Sequence, residues 1–192
     1  MDVNNLIRNR RSVYTSQFSG ETIDDNFVEE ILENGSWAPN HYHTEPWRFV
    51  VFSGDGKAHL MSELARLYKL HSGENFNETK HQKYEARKEQ ISHAICLVLN
   101  KSNKPNLPVR EEVAAVACAA QNILLSVAAQ PHLGAYWSTG SLVYLDEFSE
   151  FLELEENQEC LGIIYLGVKK EGGIEPQSSR KPISMKTKWI TK

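Results

Sequence analysis

The run Ala94-Ile95-Cys96-Leu97-Val98-Leu99 is apolar at six consecutive positions. A strand with one face in water alternates apolar and polar residues, whereas a strand that is covered on both faces is apolar throughout. The run therefore predicts the central strand of a sheet. Helices must then lie on both sides of that sheet, which gives a layered domain.

Further strands and helices are predicted on either side of this run. Aromatic and β-branched residues bounded by turn signals predict strands at residues 47–52, 135–140 and 160–168. Apolar residues at helical spacing predict helices at residues 1–10, 22–35, 57–71, 109–129 and 145–154, and the polar segment 72–93 predicts a solvated helix. Thr22 and Asp25 resemble a capping box at the start of the second helix. The small residues Ala114, Ala115, Ala117, Ala119 and Ala120 in residues 109–129 permit close approach of another helix.

The composition narrows the class of partner. The chain has 192 residues, of which 41% are hydrophobic, and a net charge of −4. These values fit one globular domain and give no long basic face for nucleic acid. No apolar run approaches the ~20 residues of a membrane span, and residues 1–8 lack the apolar core of a signal peptide. We therefore expect a soluble protein that binds neither nucleic acid nor membrane.

The three cysteines are Cys96, Cys118 and Cys160, and each lies within an apolar run. Such surroundings are typical of reduced, buried thiols and not of a disulfide framework or a metal site. The cysteines thus favour a reducing, cytoplasmic location.

The segment Trp37–Phe52 is unusual for a short connection. It places two tryptophans, two histidines, a tyrosine and two prolines between a predicted helix and a predicted strand. Proline restricts the residue before it to extended conformations, so Ala38 and Glu45 are expected to be extended and the loop to be stiff. Such a loop could hold a flat ligand against its rings, or it could plug the core with its tryptophans. The residues alone leave both alternatives open.

Two kinds of catalytic site find little support. His41, His43 and Glu45 alternate along the loop and could share one face, but no second cluster of ligands completes a zinc site. The chain has no Gly-x-Ser-x-Gly motif and no cysteine in an electropositive setting, so nucleophilic hydrolysis is disfavoured.

A phosphate site is better supported. The triplet Arg10-Arg11-Ser12 combines two guanidinium groups with a hydroxyl donor, a combination that binds phosphate oxygens in bidentate geometry. Arg180 and Lys181 could add two cations to the same anion. The triplet by itself is also compatible with ordinary surface charge.

Several motifs in order resemble the FMN-dependent nitroreductase family, in its small branch with a short lid. They are Arg10-Arg11-Ser12, Ala38-Pro39-Asn40-His41, Glu45-Pro46-Trp47-Arg48-Phe49, residues 120–125 and residues 133–137. The resemblance implies an α+β layered fold with a central mixed or antiparallel sheet flanked by helices. It also implies an intertwined homodimer with FMN at its interface, in which the long helix packs against the same helix of the partner subunit. The chain is expected to form one domain over residues 1–192, whose C-terminal extension 169–192 docks on the partner subunit.

The resemblance also assigns roles to residues. The implied FMN-binding residues are Arg10, Arg11, Ser12, Trp37, His41, Trp137, Ser138, Thr139 and Arg180. The implied contacts to the nicotinamide donor or substrate are Val127, Ala128, Ala129, Gln130, Pro131, His132, His43 and Glu45. No side chain is expected to act as a nucleophile, and no metal is expected.

The expected activity is electron transfer from NADH or NADPH through FMN to a nitroaromatic, a quinone or a similar small acceptor. A flavoenzyme of the same fold with another outcome, such as reductive dehalogenation or C–N dehydrogenation, remains an alternative. A non-catalytic protein that binds or carries FMN is a second alternative. In a third, the aromatic loop is only part of the core and the family pattern serves the fold alone. Glu45 stands where many relatives have glutamine, and an ionised carboxylate there would lower the flavin potential.

Overall fold

The computed structural model describes residues 2–192, which form six α-helices and four strands interleaved along the chain. Met1, the first residue of the expected domain and of its first expected helix, lies outside the described residues. The helices are α1 (Val3–Asn9), α2 (Asp25–Ser36), α3 (Gly54–His71), α4 (Glu78–Gln90), α5 (Val109–Ala128) and α6 (Asp146–Phe151). The strands are β1 (Trp47–Phe52), β2 (His93–Asn100), β3 (Leu133–Ser138) and β4 (Gln158–Val168).

The strands form one sheet in the order β1-β2-β4-β3, and each neighbouring pair is antiparallel. The predicted central strand is confirmed, because β2 lies inside the sheet and residues 94–99 are at most 1% exposed. The register between β2 and β4 shifts between Leu97 and Val98, opposite Gly162. This antiparallel sheet with interleaved helices confirms the expected α+β layered fold.

Alternate residues of β2 enter two separate cores. Ile95 and Leu97 pack in one core with Ala119 and Ile123 of α5. Cys96, between them, packs in the other core with residues of α3 and α6. Since successive side chains of a strand point to opposite faces, a continuous apolar run is the sequence that a doubly covered strand requires.

The alanines of α5 serve two different faces of the helix. Ala119 faces inward, where α2 approaches so closely that a Cβ on Gly35 would lie 3.0 Å from Ile123 Cγ1. Ala114 and Cys118 lie on the outer face and are exposed. The prediction that Cys118 is buried is therefore wrong, because its apolar neighbours belong to the inner face.

By length and composition α5 would also qualify as a membrane-spanning helix, with 44% of the relevant window buried. The sequence has no uninterrupted apolar run of that length, because charged residues interrupt the helix near its start. Its buried face packs against α2 and the sheet, as in the core helix of a layered domain.

The start of α2 differs from the predicted capping box. Asp24, not Thr22, is the N-cap, and its carboxylate accepts a hydrogen bond from the amide of Asn26 at 2.9 Å. Asp25 instead lies 2.8 Å from Nε2 of the buried His93. On the other side of that ring, Nδ1 lies 2.8 Å from the hydroxyl of Ser92.

The Ser92 hydroxyl also accepts a hydrogen bond from the amide of Ile23 at 2.7 Å. Its oxygen is therefore engaged on both sides and only 1% of the residue is exposed. A serine, a histidine and an aspartate in succession suggest a nucleophile, but a catalytic hydroxyl must reach a substrate. This chain of hydrogen bonds instead fastens the segment before α2 to the start of β2.

Residues 169–192 leave the sheet as an extended segment with a short 3₁₀ turn at Ile183–Met185. Near its start it is held by the ion pair Lys169–Glu175, at 2.8 Å, and by Gln17 Nε2, which donates to the carbonyl of Ile174 at 2.6 Å. Further along, large apolar side chains are exposed, with Trp189 at 84%. Docking of this segment on a partner subunit stays a prediction.

Candidate functional site

A cationic cleft forms where the end of α1 meets the end of α5 and the start of β3. Arg10 and Arg11 line it together with Leu124 and Gly134. Burial lowers the pKa of the Arg10 guanidinium, and the neighbouring charges of Arg11 and Arg180 lower it further. Arg180 is far away in sequence, so the tail brings a third guanidinium to the same place. None of the ion pairs formed within residues 2–192 involves these arginines, and a multiply charged anion would relieve their repulsion.

The triplet Arg10-Arg11-Ser12 is held by backbone contacts. Arg11 Nη1 donates to the carbonyl of Arg8 at 2.6 Å, which satisfies the end of α1 as a cation at a helix C-terminus does. The next residue, Val13, donates its amide to the carbonyl of Ala135 at 3.0 Å and so fastens the segment to the edge of β3. The hydroxyl of Ser12 is left exposed beside that strand.

The residues predicted to meet the nicotinamide donor occupy the end of α5 and the following turn. Ala128, Gln130 and Pro131 line the same cleft as Arg10. Val127 also borders the cleft, but its residue is 1% exposed and its side chain packs in the core. Ala129 lies on the surface, and the exposed His132 lines an adjoining hollow that includes Lys169 and Glu175.

Trp137 is locked to β4 by a close approach between the two strands. Its indole Nε1 donates to the carbonyl of Leu161 at 3.2 Å. A Cβ at Gly162, where φ is +132°, would lie 2.3 Å from the same nitrogen. Ser138 is partly buried and Thr139 is exposed at the end of the strand.

The outer edge of β3 carries backbone groups beside the cleft. The carbonyl of Ala135 points to that edge, where it meets Val13. Backbone groups of alternate residues in an antiparallel strand point the same way, so the amide and carbonyl of Trp137 also face outward. Within residues 2–192 they have no backbone partner there, which leaves them available to a ligand.

The two tryptophans of the aromatic loop have opposite roles. Trp47 is 5% exposed and packs in the core. Trp37, at the end of α2, is 79% exposed, and its Nε1 donates to Glu33 Oε1 at 3.0 Å. The alternative of a core plug therefore holds for Trp47, whereas a ligand contact by Trp37 stays a prediction. Only Trp37 offers a face to a ligand.

The backbone of the loop is strained around His41. Tyr42, His43 and Glu45 have φ values of 57°, 52° and 42°. Each such left-handed residue costs about 1–3 kcal/mol and persists only where its surroundings enforce it. The expectation that Glu45 is extended is wrong, because its amide donates to Asn40 Oδ1 at 3.0 Å and closes the loop into a tight turn. The loop is stiff for this reason, and the side chains of His43 and Glu45 are exposed.

Two residues that sequence reasoning missed hold this loop. Glu111 Oε2, in the first turn of α5, lies 2.5 Å from His41 Nδ1. Lys104 Nζ donates to the carbonyl of Tyr42 at 3.0 Å and sits over its ring. The ring of His41 also stacks on that of Tyr42, with centroids 4.1 Å apart. No pattern in the sequence links residues so far apart, so only the fold reveals these contacts.

The predicted site residues fall into two groups within one chain. The first group contains Arg10, Arg11 and Arg180 at the C-terminal end of α5, and the second contains His41 at its N-terminal end. Val127 lies 16 positions after Glu111, which corresponds to about 24 Å along the helix axis at 1.5 Å per residue. Within residues 2–192 no group of three His, Cys, Asp or Glu side chains could hold a metal ion.

Comparison with known proteins places this geometry in a family. A family model described as "Nitroreductase family" matches residues 7–168. YfhC of Bacillus subtilis, which carries the name of an NAD(P)H nitroreductase, is 29% identical over 167 residues, covering 86% of this chain and 84% of that protein. YdjA of Escherichia coli, named in the same way, is 25% identical over 167 residues, with 87% and 88% covered.

Solved structures give the same picture at the level of the fold. A nitroreductase-like protein from Bacillus cereus superposes with a TM-score of 0.79 at 28% identity, covering 99% of this chain and 96% of that one. A protein from Desulfovibrio desulfuricans, solved in complex with FMN, has a TM-score of 0.75 at 24% identity, with 100% and 98% covered.

Proposed function

Because the chain belongs to the nitroreductase family, whose members are oxidoreductases, we propose that it is a homodimeric, FMN-dependent NAD(P)H oxidoreductase of the cytoplasm. Its acceptors are nitroaromatics, quinones or similar small oxidants. The observation that carries the proposal is the cluster of Arg10, Arg11 and Arg180 beside the open edge of β3. This cluster suits a phosphate group next to a flat ring.

The outer face of α5 supports a dimer. It carries two exposed pairs whose members are one turn apart, Val109 with Val113 and Ala114 with Cys118. An apolar stripe with small residues allows a second helix to approach closely. If a two-fold axis crosses the middle of α5, the helix packs antiparallel on its mate and the same stripe serves both copies.

Such an axis also joins the two separated groups. The N-terminal end of one α5 then lies beside the C-terminal end of the other. Arg10 and Arg11 of one copy thereby approach His41 of the second copy, although the two groups are about 24 Å apart along a single helix. The FMN pocket we propose is composite, with the phosphate end from one chain and an aromatic wall from the other.

The described residues fit FMN at each part of such a pocket. The three arginines and the Ser12 hydroxyl hold the phosphate, and burial around Arg10 strengthens their attraction for it. The outward amide and carbonyl of Trp137, with Ser138 and Thr139 after it, hold polar edges of the flavin ring. Trp37 and His41 of the second copy form the opposite wall.

When bound, FMN would supply the redox chemistry, namely hydride acceptance from NADH or NADPH and electron transfer to the acceptor. The chain's own part is to align the two substrates in turn over one ring and to keep competitors out. Ala128 to His132, with His43 and Glu45, border the proposed donor and acceptor position. No side chain has to act as nucleophile, and an ionised carboxylate at Glu45 beside the ring would lower the flavin potential.

Purification of the untagged protein tests the proposal. We expect a yellow protein, or an apoprotein that takes up FMN, whose flavin absorbance bleaches on anaerobic addition of NADPH or NADH. A protein that cannot be loaded with FMN would contradict the proposal. Bound flavin that neither nucleotide bleaches would favour a carrier. Turnover on a panel of nitroaromatics, quinones, halogenated aromatics and amines separates the named acceptors from dehalogenation and C–N dehydrogenation.

A further inference from the structure

The loop that carries His41 is held by two side chains from outside it. Glu111 reaches His41 Nδ1 from the first turn of α5, and Lys104 reaches the carbonyl of Tyr42 from the connection before α5. These contacts meet the loop where its backbone adopts positive φ values. A strained backbone keeps its shape only while its surroundings enforce it, so both contacts help to maintain the loop.

The contact with Glu111 also decides which nitrogen of His41 is available. An ionised carboxylate can only accept hydrogen bonds, so Nδ1 carries the proton that the two groups share. Nε2 is then the free nitrogen, and within residues 2–192 it has no hydrogen-bond partner. The His41 side chain is 53% exposed, so this nitrogen is open to a ligand.

We propose that Glu111 is a positioning residue for flavin binding, with Lys104 as a second anchor. Through Nδ1 of His41, Glu111 fixes the tautomer and orientation of the ring and holds residues 40–46 in the shape that forms one wall of the flavin pocket. This inference rests on the FMN-binding function proposed above and adds residues that none of the motifs contains.

A role in positioning is separable from a role in global stability. The Glu111 side chain is 40% exposed and water screens its interaction with His41. Loss of the pair should therefore leave the folded core intact while it releases the loop. Local release shows as faster amide exchange confined to that loop.

The test compares three variants with the wild-type protein. Glu111→Gln keeps the size of the side chain, but an amide can donate as well as accept and so no longer fixes the tautomer. Lys104→Met removes the second anchor. Glu147→Gln is the matched control, because it removes another exposed pair of histidine and glutamate, in which His71 Nε2 lies 3.0 Å from Glu147 Oε1.

Amide exchange is measured on the apoproteins, and FMN affinity by quenching of flavin fluorescence. We expect Glu111→Gln to speed exchange at residues 41–45, to weaken FMN binding about tenfold and to leave the denaturation midpoint unchanged. Lys104→Met should change both readouts in the same direction by a smaller factor. Glu147→Gln should match the wild-type protein.

Two results would overturn the inference. One is a Glu111→Gln protein with wild-type exchange in the loop. The other is a variant with a released loop and unchanged FMN affinity, since the loop would then lie outside the flavin pocket. A wild-type protein that binds no FMN would overturn the proposed function instead, and the exchange comparison, made without flavin, distinguishes that failure from a failure of Glu111 to hold the loop.

Discussion

Trp137 and Gly162 approach each other so closely that a single methyl group at position 162 would lie 2.3 Å from the indole nitrogen of the tryptophan. It would also lie 2.6 Å from the carbonyl oxygen of Ser138. The shift in register between β2 and β4 occurs opposite this glycine. The strand proposed to contact the flavin is thus seated on β4 at a place where only glycine fits.

Gly162→Ala should therefore destabilise the protein strongly. The variant combines an unfavourable backbone conformation with overlap against the Trp137 indole and the Ser138 carbonyl, and we expect a loss on the order of 2–4 kcal/mol in the free energy of unfolding. Urea denaturation followed by circular dichroism measures it. Gly140→Ala is the control, because no atom lies within 4 Å of the added carbon there. Equal stability of the two variants would show that β3 and β4 can move apart to admit the methyl group without a loss of stability.

Arg10→Ala should weaken binding of FMN but not of riboflavin. The guanidinium is proposed to meet only the phosphate, and a hydrogen bond between charged groups contributes about 1.5–3 kcal/mol, or roughly 10–100-fold in Kd. Titration of the apoprotein with FMN and with riboflavin separates the contribution of the phosphate to binding from that of the rest of the flavin. Arg66→Ala, which breaks an exposed pair with Glu63 on α3, should leave both affinities unchanged. An equal loss for riboflavin would place Arg10 away from the phosphate.

Ala114→Arg should convert the proposed dimer into a monomer. A charged side chain on the outer face of α5 would be buried between the two helices without a partner, which is strongly unfavourable. Sedimentation equilibrium reports the mass, and FMN affinity should fall with it because each pocket needs two chains. Ala86→Arg places the same charge on an exposed position of α4 and should leave the dimer intact. A wild-type protein that sediments as a monomer would contradict the composite pocket.

Stability should fall in alkali because of Tyr165. Burial raises the pKa of its phenol far above the ordinary value, while the charge of Arg87 lowers it by a smaller amount. The unfolded chain titrates near its ordinary pKa of about 10, so the unfolded state alone releases the proton above that pH. The contribution of Tyr165 to the free energy of unfolding is complete below about pH 10. It is lost as pH rises further, with a slope of about 1.4 kcal/mol per pH unit.

Urea midpoints measured between about pH 9 and pH 11 check this expectation. Tyr165→Phe should show a shallower decline, because the unfolded variant has one proton fewer to release. Tyr144→Phe is the control, since that tyrosine is 54% exposed. Identical pH profiles for the wild-type protein and Tyr165→Phe would mean that other groups, such as the buried Tyr136, dominate.

The sheet and its helices could be predicted because local patterns determine them. The apolar run at residues 94–99 needs two covered faces, and β1 spans the predicted residues 47–52. Helix ends were less accurate, since Asp24 and Thr22 are both suitable caps and only the fold shows that Asp25 contacts His93.

The site was predictable in its composition and not in its geometry. The Arg10-Arg11-Ser12 triplet and the aromatic loop were identified from the residues that they contain. Which tryptophan is buried depends on the register of β1, and the contact between Glu111 and His41 joins residues 70 positions apart. The left-handed conformation of Glu45 contradicts the local preference before proline, because the side chain of Asn40 outweighs it.

The separation of Arg10 and His41 along α5 has a genetic consequence. If each pocket takes one half from each chain, a dimer that mixes an Arg10→Ala chain with a His41→Ala chain holds one pocket with both defects and one pocket with neither. Two impaired alleles expressed together would then give more activity than either allele expressed alone. Complementation of this kind is what a catalytic unit shared between polypeptides produces, and a pocket contained in one polypeptide cannot show it.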